Sequence, residues 1–175
     1  MKYKLLLILL CTTIVSNNGF AQKFGYIDSD YVLSQLTEYK GAQRQLDELS
    51  QKWETELANQ RSEIDKMYKD YKIEEITLTP GQRKEREDAI VAKENTMRDF
   101  EQSKFGVNGE LFKKRQELIK PIQDKISVSI TAVAKKNGLD FIFDKSANMN
   151  ILFSNPKYDR SGDVLDELGV TVNEK

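Results

Sequence analysis

From Lys40 to Lys136 the apolar residues recur at helical spacing in a charge-rich background, with one interruption at Thr77-Leu-Thr-Pro-Gly81. On the outgoing side Leu46, Leu49, Trp53, Leu57, Ile64, Met67 and Tyr71 follow at steps of three and four, apart from one step of seven that passes through Gln60. Such spacing predicts a single apolar stripe along a long helix. The successive steps of four at Leu49, Trp53 and Leu57 break a strict heptad, as a stutter does in a coiled coil. At the interruption Thr79 can cap, Pro80 fits the first helical position, and Gln82 stands three residues after the cap, as in a capping box. A second helix therefore starts there. Its stripe is Ile90, Met97, Phe100, Val107, Leu111, Leu118, Ile122, Ile126, Ile130 and Val133, and it ends at the C-cap pair Asn137-Gly138. Gly106 and Gly109 sit inside this pattern and Pro121 removes a backbone donor, so kinks are predicted at both places.

With the outgoing arm taken as Lys40–Ile76, about 37 residues at about 1.5 Å each reach about 55 Å. That exceeds the diameter of a globular domain of this size, so the hairpin must project from whatever body carries it. Counted back from the turn, Pro121 falls where the returning arm rejoins that body.

The flanks of the hairpin have a different period. Lys23-Phe-Gly-Tyr-Ile27 reads as a strand, Asp28-Ser29-Asp30 supplies turn and N-cap chemistry, and Tyr31–Leu36 reads as a short helix. After Gly138, Leu139-Asp-Phe-Ile-Phe143 predicts a second strand and Asn150-Ile-Leu-Phe-Ser154 a third, closed by Asn155-Pro156. Ser161–Leu168 predicts a short amphipathic helix with Ser161 as cap and Gly169 as stop. The fold class is thus α+β: a small β-rich body from 22–39 and 137–175, and a protruding antiparallel helical hairpin over 40–136 with its tip near 77–81. The alternation along Leu139–Phe143 is imperfect, which favours burial on both faces. Phe24, Tyr26, Ile27, Phe141, Phe143, Ile151 and Phe153 are accordingly residues of the sheet core or of a subunit interface. Short strands with two open edges are not stable alone, so pooling them between subunits would close edges and bury apolar faces.

Composition adds destination and exclusions. Met1–Ala21 has the form of a secretory signal: Lys2 and Lys4 precede the apolar run Leu5–Leu10, and Gly19-Phe20-Ala21 offers small residues for cleavage, leaving Gln22 first. The run gives way to Thr12, Thr13 and Ser16, short of the roughly 20 apolar residues of a membrane span. Cys11 follows Leu10 rather than a small residue, which disfavours lipid attachment. Cleavage after Ala21 removes the single cysteine, and the chain has no histidine, so disulfides, thiol chemistry and histidine-based acid/base or metal sites are excluded. Two lysines and no acid leave with the signal, so the mature balance is 27 − 2 = 25 basic against 28 acidic residues, a net −3. That argues against nucleic acid as partner. Charged residues are 31% of the chain, where about 25% is usual, a shift toward long solvent-washed helices. Asp28, Asp30, Asp140 and Asp144 fit caps and strand-end turns better than a metal or catalytic cluster. With no nucleotide loop or nucleophile elbow in the chain, neither an enzyme nor a cofactor is expected.

A signal, an opening Lys-Phe-Gly-Tyr-Ile-Asp strand, a long helical hairpin, Gly138-Leu-Asp-Phe-Ile-Phe-Asp144, Ile151-Leu-Phe153 and a closing Asp163-Val-Leu-Asp-Glu-Leu168 helix follow in that order. The chain from Gln22 to about Val172 resembles the Skp/OmpH family of periplasmic chaperones. The resemblance implies a homotrimer whose strands meet in a small β-barrel, with hairpins projecting like tentacles around a cavity. It also implies an ATP-independent holdase that keeps unfolded outer-membrane proteins soluble in the periplasm.

On that reading the arm stripe zips the two arms together, while Trp53, Met67, Tyr71 and Met97 are also client-binding candidates, being flexible or aromatic. Gly106, Gly109 and Pro121 are hinge candidates, and alanine at both glycines would stiffen the arm and narrow the client range. One feature departs from the family. Its best-studied members are strongly basic with cationic tips, whereas between Arg61 and Arg98 this chain carries nine basic and nine acidic residues. Membrane or lipopolysaccharide contact therefore has no charge excess to drive it here. The alternative is a coiled-coil envelope adaptor or spacer without chaperone activity, but a spacer would favour a rigid uninterrupted heptad, against the stutter, the glycines and Pro121.

Overall fold

The computed structural model describes residues 22–146 and 151–171; the predicted signal and Asn150 lie outside them. In chain order the elements are β1 (Phe24–Ile27), α1 (Ser29–Gln35), α2 (Thr37–Glu74), α3 (Pro80–Phe105), α4 (Glu110–Asn137), β2 (Phe141–Asp144), a single 3-10 turn (Pro156–Tyr158) and α5 (Ser161–Glu167). At 38 residues, α2 is about 57 Å long.

β1 and β2 pair in parallel, with Phe24 opposite Phe141 and Ile27 opposite Asp144. A parallel pair needs a long crossover, and here the crossover is the whole hairpin. On the other side of β1 a single bridge joins Tyr26 to Asp159, and the Arg160 N–H donates to the Tyr26 carbonyl at 2.8 Å. β1 is therefore central, and the outer edge of β2 is unpaired among the described residues. The predicted third strand does not form, because Ile151–Ser154 has no regular secondary structure. The second edge of β1 is taken by the Asp159 segment, and Ile151–Ser154 does not pair with the outer edge of β2 either.

Local chemistry sets the helix ends. The Asp28 carboxylate accepts from the Tyr31 N–H at 2.9 Å and starts α1 two residues earlier than the pattern predicts. Gly138, in the left-handed region at φ 61°, ends α4. Ser161 does not cap α5. Its hydroxyl oxygen accepts from the Asp28 N–H at 2.9 Å and its own N–H donates to Asp159 Oδ1 at 2.8 Å. The residue is buried and joins the two chain ends. α4 runs through Pro121 without a break, with Ile119 and Ile122 buried on either side of the exposed ring. Packing thereby overrides the cost of an interior proline.

The core lies at the base of the hairpin. Val32, Leu36, Ala42 and Leu46 meet Ile119, Ile122, Ile126 and Val133 of α4 and Val164 and Leu165 of α5, with Ile27 beneath them. Val32, Val164 and Leu165 are fully enclosed.

A polar latch ties β2 to α1. Asp144 Oδ1 accepts from the Ser29 N–H at 3.1 Å, the Ser146 N–H at 3.1 Å and the Ser146 hydroxyl at 2.8 Å. Partial burial alone would raise the Asp144 pKa, but the bonds from Ser29 and Ser146 outweigh it and hold the pKa below the ordinary aspartate value. Because the folded-state value is depressed, the stabilisation is present at neutral pH and is lost as pH falls through that value. Asp144→Asn should therefore lower the urea midpoint at pH 7 and flatten its decline below about pH 4, read by circular dichroism; an unchanged pH profile would rule the latch out.

Candidate functional site

The arm has a capped tip. The Gln82 N–H donates to Thr79 Oγ1 at 3.4 Å while the Thr79 N–H donates to Gln82 Oε1 at 3.0 Å, closing the predicted capping box. Beyond its middle, the two arms are joined by four polar links that cross from one helix to the other. Lys93 meets Glu63 at 2.7 Å, Arg86 meets Glu74 at 2.9 Å, and the Tyr68 and Tyr71 hydroxyls donate to Glu94 at 2.8 Å and Glu87 at 2.5 Å. Those phenolic bonds push the Tyr71 pKa up to about 12 and raise that of Tyr68, since ionising either would set two anions side by side. Both tyrosines are therefore fixed as donors at any physiological pH.

The sequence-predicted client candidates all lie on the seam between the arms. Trp53 is buried, and Met67, Tyr71 and Met97 are half-buried. Apart from Val107, the large apolar side chains of the arm that face solvent stand off the stripe: Tyr68, Ile73 and Ile76 on the outgoing side, Val91, Phe112 and Val128 on the returning side. Helical periodicity selects the positions that get buried, so it passes over these; their signal is an apolar residue out of phase with the stripe.

At Gly106, where the sequence predicts a kink, the helix of the returning arm is interrupted. α3 ends at Phe105 and α4 begins at Glu110, with Gly106 and Gly109 as their extended caps and Asn108 in the left-handed region at φ 62°. Val107, predicted on the stripe, is 98% exposed because no helix holds it there. The turn is closed by the Gly109 N–H donating to the Gly106 carbonyl at 2.8 Å. Opposite it α2 is continuous, and its Trp53 packs edge-on against Phe105 with ring centroids 6.0 Å apart. Lys104 Nζ lies 5.2 Å from the Trp53 ring and reaches across the break to Glu110 at 2.6 Å. The glycines are needed for close approach of backbone, not for unusual dihedrals. A Cβ on Gly106 would collide with the Gln102 carbonyl oxygen, and one on Gly109 would lie 2.9 Å from the Gly106 and Lys104 carbonyl oxygens. Alanine therefore cannot simply stiffen the arm here.

The sheet candidates divide by exposure. Ile27 enters the core and Tyr26 is buried, whereas Phe24 and Phe141 are about half exposed, Phe143 nearly so, and Ile151 half-buried. Phe153 is 82% exposed and its neighbour Leu152 98%. Phe24, Phe141 and Phe143 share one face by the register, beside an apolar groove that Tyr26, Ile151, Phe153 and Tyr158 complete. Contiguous exposed aromatics of this kind mark a contact surface. Among the described residues no group of three or more His, Cys, Asp or Glu is placed to hold a metal, and no helix is long and apolar enough to cross a membrane.

These features define a protein with one long helical hairpin on a small parallel-sheet base that carries an exposed aromatic face. The chain belongs to the OmpH-like outer membrane protein family, whose model matches residues 23–168. Its fold is that of a Caulobacter crescentus CB15 protein described as an OmpH-like outer membrane chaperone, at a TM-score of 0.66 and 17% identity over 89% of this chain and 88% of that one. No curated protein sequence matches the chain.

Gly106→Ala should destabilise the protein by about 1–3 kcal/mol, the scale of a forced backbone conformation, read as a lower urea midpoint; a midpoint at or above that of the parent would mean the turn is not held as described.

Proposed function

We propose that this OmpH-like protein is an ATP-independent periplasmic holdase that binds unfolded outer-membrane β-barrel proteins in transit and keeps them from aggregating. The arm carries this reading. A hairpin about 57 Å long, with apolar side chains exposed singly among charges, makes many weak contacts and favours no one sequence. Held among several such arms, a client could not pair its unpaired strands with those of another.

The aromatic face and the open edge of β2 support a homotrimer closed through the base, with Phe24, Phe141, Phe143 and Phe153 between subunits. The equal numbers of basic and acidic residues around the tip favour protein clients over anionic lipid surfaces. Release then follows from competition by the membrane or by a downstream assembly site. The rival reading, a rigid envelope spacer, draws support from the continuity of α2 across the break.

Diluting a urea-unfolded β-barrel membrane protein into buffer with and without this protein, followed by light scattering, separates the two. Suppression near one trimer per client is expected, and none at excess would leave the spacer standing. Phe141→Asp combined with Phe143→Asp should reduce the mass measured by chromatography with light scattering from three chains to one; a parent mass of one chain would overturn the trimer.

A further inference from the structure

The arm is built in two tiers of unequal packing. At its base Leu46 belongs to the core with Ile119 and Ile122, and at its middle Trp53 is buried against the Phe105 ring. Beyond Leu57, Ile64 and Ile90 alone among the described residues are buried; Met67, Tyr71, Met97 and Phe100 are half-buried. The four cross-arm polar links there join exposed or half-exposed side chains, a kind of contact that adds little stability each.

Gln60 stands at the boundary of the tiers. It occupies the seam position between Leu57 and Ile64, the one step where the apolar stripe skips a residue. Its Oε1 is shut off from solvent and has no hydrogen-bond partner among the described residues. Its amide nitrogen donates to Glu56 at 3.1 Å, on its own helix. The side chain thus places an unmet polar group in the seam and contributes no bond across it, which weakens the zipper just beyond the Trp53 contact.

We infer that the distal arm, from Gln60 around the tip to about Phe100, opens as a unit beyond the Trp53 clasp; that Gln60 sets how readily it opens; and that opening bares Ile64, Met67, Tyr71, Ile90 and Met97 to an extended segment of unfolded chain. The partner's chemistry follows from the bared surface. Each separated helix shows a single file of apolar side chains, one of them a flexible thioether, between rows of charge. One face of an extended strand shows the same single file at period two, and thioethers adapt to whatever side chains it carries. This last step rests on the holdase reading, and it explains how residues on the seam could serve as client contacts.

Hydrogen exchange by mass spectrometry on the full mature protein tests it. Amides of 61–100 should exchange together, at least about tenfold faster than those of 40–50 and 115–133. Gln60→Leu, which continues the apolar file, should slow the distal amides about tenfold and leave the base unchanged, the factor expected when one unmet buried polar group is removed. The same variant should hold less unfolded β-barrel protein than the parent in the scattering assay. A single exchange rate for both tiers in the parent, or distal amides unmoved by Gln60→Leu, overturns the two-tier arm. Slower distal exchange with undiminished holding overturns the client contact alone. A parent that holds no client at all sinks the holdase reading, while its exchange pattern still decides whether the arm opens.

Discussion

The parallel pairing of β1 with β2 is the constraint on which the rest depends. Two strands of four residues each close a crossover that contains the entire hairpin. Closing so long a loop costs about 4 kcal/mol of chain entropy beyond a constant, scaling as (3/2)RT ln n. Two short strands cannot offset that alone. What offsets it is the knot of tertiary contacts at the same place. Asp140 accepts from the Lys23 N–H at 2.8 Å, Asp144 holds Ser29, and Ser161 holds Asp28, each joining residues more than 100 positions apart in sequence. Above these bonds α1, α5 and the bases of α2 and α4 bury the enclosed valines and leucines. The chain ends must meet correctly for the arm to have a fixed root.

From that root outward, packing thins steadily. The base of the arm is part of the core, the middle is held by Trp53 against Phe105, and the distal half by two buried isoleucines and four polar links. Near the tip a charged, long-chained surface suits a helix washed by solvent on most sides. The cost is low local stability, which is where opening and ligand contact are expected to concentrate. The break at Gly106–Gly109 fits the same gradient. It lies where the returning arm leaves the core-backed region, and the uninterrupted α2 splints it.

Much of this was legible in the sequence because it is local. The capping box at Thr79 and Gln82, the stripe on α2, the opening strand and the cap by Asp28 each depend on residues a few positions apart. What was not legible depends on distant partners. Ser161 has the right type and place for a helix cap, yet its hydroxyl is claimed by Asp28 across the fold. Ile151–Ser154 has strand composition, yet it pairs with neither strand of its own chain. Val107 keeps helical phase, but the backbone around Gly106 and Gly109 approaches too closely for the helix to continue. Pro121 reads as a kink; the helix continues through it, with Ile119 and Ile122 buried beside it. The candidate site was legible by half: periodicity identified the seam, and could not identify the solvent-facing residues that lie out of phase with it.

The aromatic face of the sheet connects root and arm in one further way. Phe24, Phe141 and Phe143 lie on the side of the sheet turned away from Ile27 and the core, so a partner covering them does not compete with the contacts that root the hairpin. Soluble oligomers of one chain mostly close by rotation about a common axis. Rotation about an axis leaves unchanged the component of each arm along it. In the proposed trimer every arm therefore makes the same angle with the axis, and any component along it points to the same side of the base.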